Sequence, residues 1–269
     1  MRDLIKTDLR RILKDKLFLV VTILCAVFGV ITPVLNKLIY SLVGMMDIAD
    51  VAVSAKDMFF SSFSPSNNMG LIAPILLTIV ICKDFSQGTV RNKLISGKTR
   101  TEVFMSTFIS TVIVTVGVIL LHALITLAFS LPFFKFQADA FGITDFFYIL
   151  LSVFFEMLVY VFISALVSFF AVVMKNAGLA VVMYIAANFL FSIVGSITMI
   201  GVQFADPENK ILHGVLEFID SINLFTSRVI GFGDSYEWKQ IVYILVPTVV
   251  GSALLVFFGN KIFKRKDLK

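Results

Sequence analysis

Three polar side chains sit deep inside otherwise apolar stretches of the 269-residue chain: Glu156, His122 and Asn188. An ionisable group in such surroundings is costly, and it marks a substrate path, a proton relay or a tie between helices. His122 lies nine residues before Leu131 and Glu156 ten after Phe146, which is ~13 and ~15 Å along a helix rising 1.5 Å per residue. An acid and an imidazole at equal depth can share a proton or a cargo group if their helices are neighbours. Asn188 is a weaker polar candidate. Equally, Glu156 can be a paired or protonated residue that only holds helices together.

Other chemistry is poorly supplied. Cys25 and Cys82 are the two cysteines, each inside an apolar segment, so they offer neither a disulfide framework nor a metal-binding pair. Gly97-Lys98-Thr99 echoes the end of a phosphate-binding loop, but that motif needs GxxxxGK[ST] between a strand and a helix, and position 92 is Asn. His213 and Trp238 stand alone and read as surface and interfacial residues. One acid and one histidine in the spans do not make a catalytic set of nucleophile, base and orienting group. The expectation is therefore a non-enzyme without metal or cofactor of its own.

The elements that position these residues are membrane spans. Hydrophobic residues make up 58% of the chain and charged ones 15%, and the apolar residues fall in blocks long enough to cross a ~30 Å hydrocarbon core. Six spans are expected at about 17–38, 65–83, 103–131, 146–173, 178–200 and 240–260, in one all-α integral membrane domain. Pro33 lies near the far end of the first, and Ser64 and Pro65 read as cap and first residue of the second. Cationic loops are retained inside, and placing both termini inside puts 17 of the 23 basic residues there: six before Leu17, five between Lys83 and Glu102, Lys175, and five from Lys261 onwards. The net charge of +5 then reflects topology, and no nucleic-acid partner is implied.

Two stretches are amphipathic rather than spanning. Residues 1–16 place Leu4, Ile5, Leu9, Ile12 and Leu13 on one face and Arg10, Arg11 and Lys14 on another, the pattern of an interfacial helix among lipid headgroups or of an elbow that also touches a cytoplasmic partner. Residues 211–230 carry a helical apolar period, with Lys210, His213, Glu217, Asp220 and Arg228 opposite. Asp206 and Pro207 fit its start, Gly231 its end, and its expected place is the outer surface.

The segment 84–102 is the most informative: DFSQGTVRNKLISGKTRTE. An acid after the second span (Asp84), a Gly-Thr pair (Gly88, Thr89), a short helix (Val90 to Ile95) and a small-polar-Arg turn (Ser96 to Arg100) resemble the signature of ABC-2 type transporter permeases. Asp84 stands where Glu is frequent in that family, and Ser106 where many members place Lys. The resemblance implies a coupling helix seated in a separate cytoplasmic ABC ATPase, which would carry ATP and Mg. It also implies a second permease copy or paralogue, and export across a bacterial cytoplasmic membrane. Physically, Gly88 permits a sharp turn, Thr89 can cap, and Arg91 and Lys93 offer charge to an acidic groove. A secondary transporter or channel built on Glu156 and His122 is the alternative, and would show interrupted helices around the site.

Overall fold

The computed structural model describes residues 1–44, 54–137, 141–174, 176–204, 209–225 and 238–266; they form ten helices and no strand. In chain order these are α1 (Arg2–Lys14), α2 (Lys16–Gly44), α3 (Ala55–Ser61), α4 (Asn68–Ser86), α5 (Thr89–Ile95), α6 (Arg100–Ser130), α7 (Ile143–Val173), α8 (Ala177–Phe204), α9 (Lys210–Ile222) and α10 (Trp238–Arg265). Six of them, α2, α4, α6, α7, α8 and α10, are long and apolar enough to cross a membrane. The chain is a multi-pass helical membrane protein. α4 and α7 form its interior, about half of each being buried, whereas less than a quarter of α2, α8 and α10 is.

Local chemistry sets several helix starts. Thr99 and Glu102 make a reciprocal box at α6: the Glu102 N–H donates to Thr99 Oγ1 (3.2 Å) and the Thr99 N–H to Glu102 Oε2 (2.9 Å). Ser54 and Asp57 do the same at α3, whose next two N–H groups reach the carbonyls of Lys135 and Phe136. At α7 the Gly142 N–H donates to Asp145 Oδ2 at 2.7 Å.

The second span departs from expectation. Ser64 and Pro65 lie in a tight turn, not at a helix start; the helix begins at Asn68, after the cap residue Asn67. The reason is a close approach. A Cβ on Gly70 would lie 2.0 Å from the Ser64 carbonyl oxygen and 2.9 Å from Pro65 Cα, so the turn folds onto the first turn of α4 and cannot continue it. α2 runs through Pro33 and on to Gly44, beyond the expected end. α9 ends at Ile222, because the Asn223 side chain turns to the Phe191 carbonyl (2.7 Å) and to the Phe225 N–H (3.1 Å). Its cap is Asn209, which accepts from the Leu212 N–H. Asp220 is buried against Thr198 rather than outward-facing. The expectations for Lys175, Asp206, Pro207, Arg228 and Gly231 fall outside the described residues.

The bundle has two ends. At one, the starts of α2 and α6 meet the ends of α4, α7 and α10: Arg100 reaches the carbonyls of Phe263, Lys264 and Lys266, and Lys266 those of Val172 and Met174. α1 and α5 lie at this terminal end. α3 and α9 attach from the opposite, distal side.

Candidate functional site

The terminal end carries a chain of charges that locks α1 onto the connection between α4 and α6. Leu4, Asp8 and Ile12 fall on successive turns of α1 and are buried together, so a carboxylate lies in the middle of an apolar row. Asp8 is paired with the ammonium of Lys93 on α5 and accepts from Ser106 Oγ on α6 at 2.6 Å. One turn later Arg11 pairs with Asp84 at the end of α4. At the break between α1 and α2, Asp15 takes both Lys83 (3.0 Å to each oxygen) and the Leu17 N–H (2.8 Å).

Proton affinities follow from these surroundings. Burial lowers the pKa of Lys93, and the bond to Asp8 only partly restores it. Burial likewise lowers that of Arg11 against the attraction of Asp8 and Asp15. For Asp15, burial acts upward but is outweighed by the Leu17 N–H and Lys83, and its pKa lies below the ordinary carboxylate value.

The expected coupling residues divide accordingly. Gly88 has φ +71°, the left-handed conformation that lets the chain turn out of α4 into α5. It also occupies the cap position; Thr89 is the first helical residue and caps nothing. Lys93 is not available to a partner groove, since it is 9% exposed and held by Asp8. Asp84 is buried against Arg11, and Arg100 is spent on the end of α10. What α5 presents outward is Arg91, Asn92 and Ile95, the last 73% exposed. Arg11, assigned to the outer face by periodicity, is half-turned inward instead.

Within the spans, the three polar candidates are all buried, but they are not one site. His122 Nδ1 donates to the Cys25 carbonyl on α2 at 3.3 Å, away from α7. Glu156 is joined to neither His122 nor any cation among the described residues. It belongs to a buried row on α7, spaced by four: Ser152, Glu156, Tyr160, Ser164 and Ser168. Asn188 Nδ2 donates to the Pro65 carbonyl (3.2 Å), and Tyr160 Oη to the Phe63 carbonyl (2.8 Å).

These two bonds locate a break in regular structure well inside the bundle. Tyr160 is 17 residues into the 31 of α7, ~26 Å along it, and Asn188 is 11 residues into α8, ~17 Å along. The turn between α3 and α4 is therefore met by the middles of two spans. Non-helical backbone survives at that depth only where protein or a lined cavity satisfies it. Ser66 completes the attachment, with Oγ 3.0 Å from Ser192 Oγ and donating to the Phe225 carbonyl at 3.1 Å. Long-range contact alone reveals this arrangement; only the Ser54-x-x-Asp57 box hinted at an extra helix before α4.

No curated protein matches the chain in sequence. A family match begins with the residue after Lys16 and leaves α1 outside it: over residues 17–269 the chain belongs to the family described as "Protein of unknown function (DUF2705)".

Proposed function

We propose that this chain is the membrane-spanning permease subunit of an ATP-driven exporter of the ABC-2 type, coupled through α5 to a separate cytoplasmic ATPase. The observation that carries the reading is the division of α5 into two faces. Val90 and Lys93 fix it to the bundle, while Arg91, Asn92 and Ile95 stand outward on a helix too short to need an apolar surface of its own. A rigidly backed, exposed apolar knob beside a cation suits a groove in a soluble partner. Both termini and α5 then face the cytoplasm, and α9 the exterior. A second copy or a paralogue supplies the other half of the conduit. ATP and Mg belong to the ATPase, whose closure would move α5 and shift the spans between two arrangements.

The test first asks whether an ABC ATPase reading frame neighbours the gene, and then co-expresses the tagged chain with that ATPase. The wild type should co-purify ATP hydrolysis, and a cysteine at Ile95 should crosslink to the ATPase. Arg91→Glu with Ile95→Asp should cut association at least ten-fold while the membrane protein keeps its melting temperature. Undiminished association in that variant would defeat the coupling assignment. Labelling of Asn92→Cys by a membrane-impermeant thiol reagent on intact cells would reverse the orientation.

A second reading has its own observation: the break at Phe63–Pro65, bonded to Tyr160 one turn from Glu156. Interrupted helices at mid-depth are where secondary transporters bind ions and substrates. Under this reading, Glu156 binds cargo or cycles a proton, without His122. Flux in proteoliposomes that needs an ion gradient, proceeds without ATPase and is abolished by Glu156→Gln would select it.

A further inference from the structure

α1 has a second face that neither the bundle nor the proposed ATPase contact uses. Leu4, Asp8, Arg11 and Ile12 point to the bundle; around the other side run Arg2, Lys6, Arg10 and Lys14, four cations at intervals of four, all exposed. None of them forms an ion pair among the described residues, although α1 has acids to offer. A cavity of about 790 Å³ lies along this face, lined by Lys6, Thr7, Leu9, Arg10, Leu13 and Lys14, with Asp3 at its N-terminal edge. Leu9 and Leu13 sit beside the cations, and Leu13 is 54% exposed.

We infer that this face is a binding site for an anionic phospholipid. Three features select a lipid over a soluble acid. α1 joins the first span through the single extended residue Asp15, so its cations are held at the membrane surface by covalent connection. The cations border exposed Leu13 and half-buried Leu9, the pairing that a headgroup with attached acyl chains meets and a free phosphate does not. The cavity holds three cations against one acid, and each Lys or Arg beside an anionic surface strengthens binding about five-fold. Because the opposite face of α1 carries Asp8, Arg11 and the neighbouring Asp15, a bound headgroup also steadies the helix that clamps Lys93, Asp84 and Lys83. The inference rests on α1 and its attachment, and holds whether or not the chain serves an ATPase.

The test is native mass spectrometry of the purified full chain in mixed micelles of phosphatidylglycerol and phosphatidylcholine at equal amounts. The wild type should retain phosphatidylglycerol preferentially. Arg10→Gln should weaken retention about five-fold, and Lys6→Gln, Arg10→Gln and Lys14→Gln together by at least ten-fold, with Arg91→Gln unchanged as the control for a cation elsewhere on the same end. Equal retention of the two lipids by the wild type would overturn the inference without recourse to any variant. So would displacement of phosphatidylglycerol by millimolar inorganic phosphate, which marks a simple anion site, or by a polyglutamate peptide, which marks a protein-docking face.

Discussion

Neutralising Asp8 isolates what the charge chain at the terminal end contributes. Asp8→Asn keeps the volume and an acceptor for Ser106, yet removes the carboxylate from Lys93, whose side chain is 9% exposed. Breaking a buried pair by deleting one charge costs about 3–5 kcal/mol, most of it the stranded ion. Lys93 can relieve part of this by releasing a proton it already holds less firmly than a free lysine, which argues for the lower end, ~3 kcal/mol. At 1.4 kcal/mol per factor of ten, α1 should then leave its seat about a hundred-fold more often.

Detachment of α1 need not unfold the spans, so the assay must report on α1 itself. Ile12 is 3% exposed against the bundle. A cysteine there, in a background lacking Cys25 and Cys82, should react slowly with a maleimide, and about a hundred-fold faster once Asp8→Asn is added. Lys93→Met alone should cost less, because Asp8 keeps Ser106 and has Arg11 at 3.8 Å. The double variant should recover most of the protection of the wild type, since no unpaired charge then remains at the seat. A rate change below about three-fold in Asp8→Asn, or strict additivity in the double variant, would show that packing by Leu4 and Ile12 holds α1 and the ion pair does not.

Further outcomes are specific to other positions. Gly70→Ala forces a Cβ within 2.0 Å of the Ser64 carbonyl oxygen and should destabilise by at least the ~1–3 kcal/mol of ordinary overpacking, whereas Gly117→Ala, with open space at its Cβ, should leave the thermal midpoint of thiol exposure unchanged. The pKa of Asp15 is lowered in the folded chain, so its contribution is complete above the ordinary carboxylate value near 4 and lost as pH falls through the lower folded value; the drop in stability between pH 5 and pH 3 should be smaller in Asp15→Asn. Arg100→Gln removes the donor to three carbonyls at the end of α10 and should speed proteolysis of the C-terminal segment after Phe263, with the spans intact. Glu156→Gln should leave the melting temperature close to that of the wild type, because no ion pair is lost among the described residues, so any loss of transport would be assigned to the carboxylate and not to folding.

The six spans are legible in the sequence because each is a long apolar block between charged or turn residues, a signal that needs no partner. Helix starts with reciprocal side-chain bonds are legible too, as Thr99 with Glu102 shows. Ser64-Pro65 looks like another helix start and deceives: the carbonyls of Phe63 and Pro65 are claimed by residues over ninety positions away, which no local pattern contains. Asp8 was readable in principle. A carboxylate midway between Leu4 and Ile12 on one apolar row must find a cation, and Lys93 supplies it from a segment that composition marks only as basic. The His122 and Glu156 pairing failed for a different reason: equal depth fixes height along two helices but not the direction in which either side chain points.

α4 connects the two unusual regions of the molecule. It begins just after the turn whose carbonyls are held by Tyr160 and Asn188 and runs 19 residues to Ser86, with Lys83 and Asp84 in its last turn, where α1 grips it. Pro74 removes one bond from its ladder near the start, but the helix is continuous from Asn68 to Ser86 and largely buried, so it acts as a strut ~28 Å long. Under the proposed function, a partner pressing on α5 would act on a helix tied to α1, and through Arg11 and Asp15 on the lower end of α4. The displacement would then reach the Phe63–Pro65 turn, whose carbonyls are held by side chains from the middles of two spans. That turn is bonded by Tyr160, one helical turn from Glu156 on α7, so the permease reading and the buried carboxylate need not compete: the strut joins the face that would receive force to the group whose surroundings that force would change.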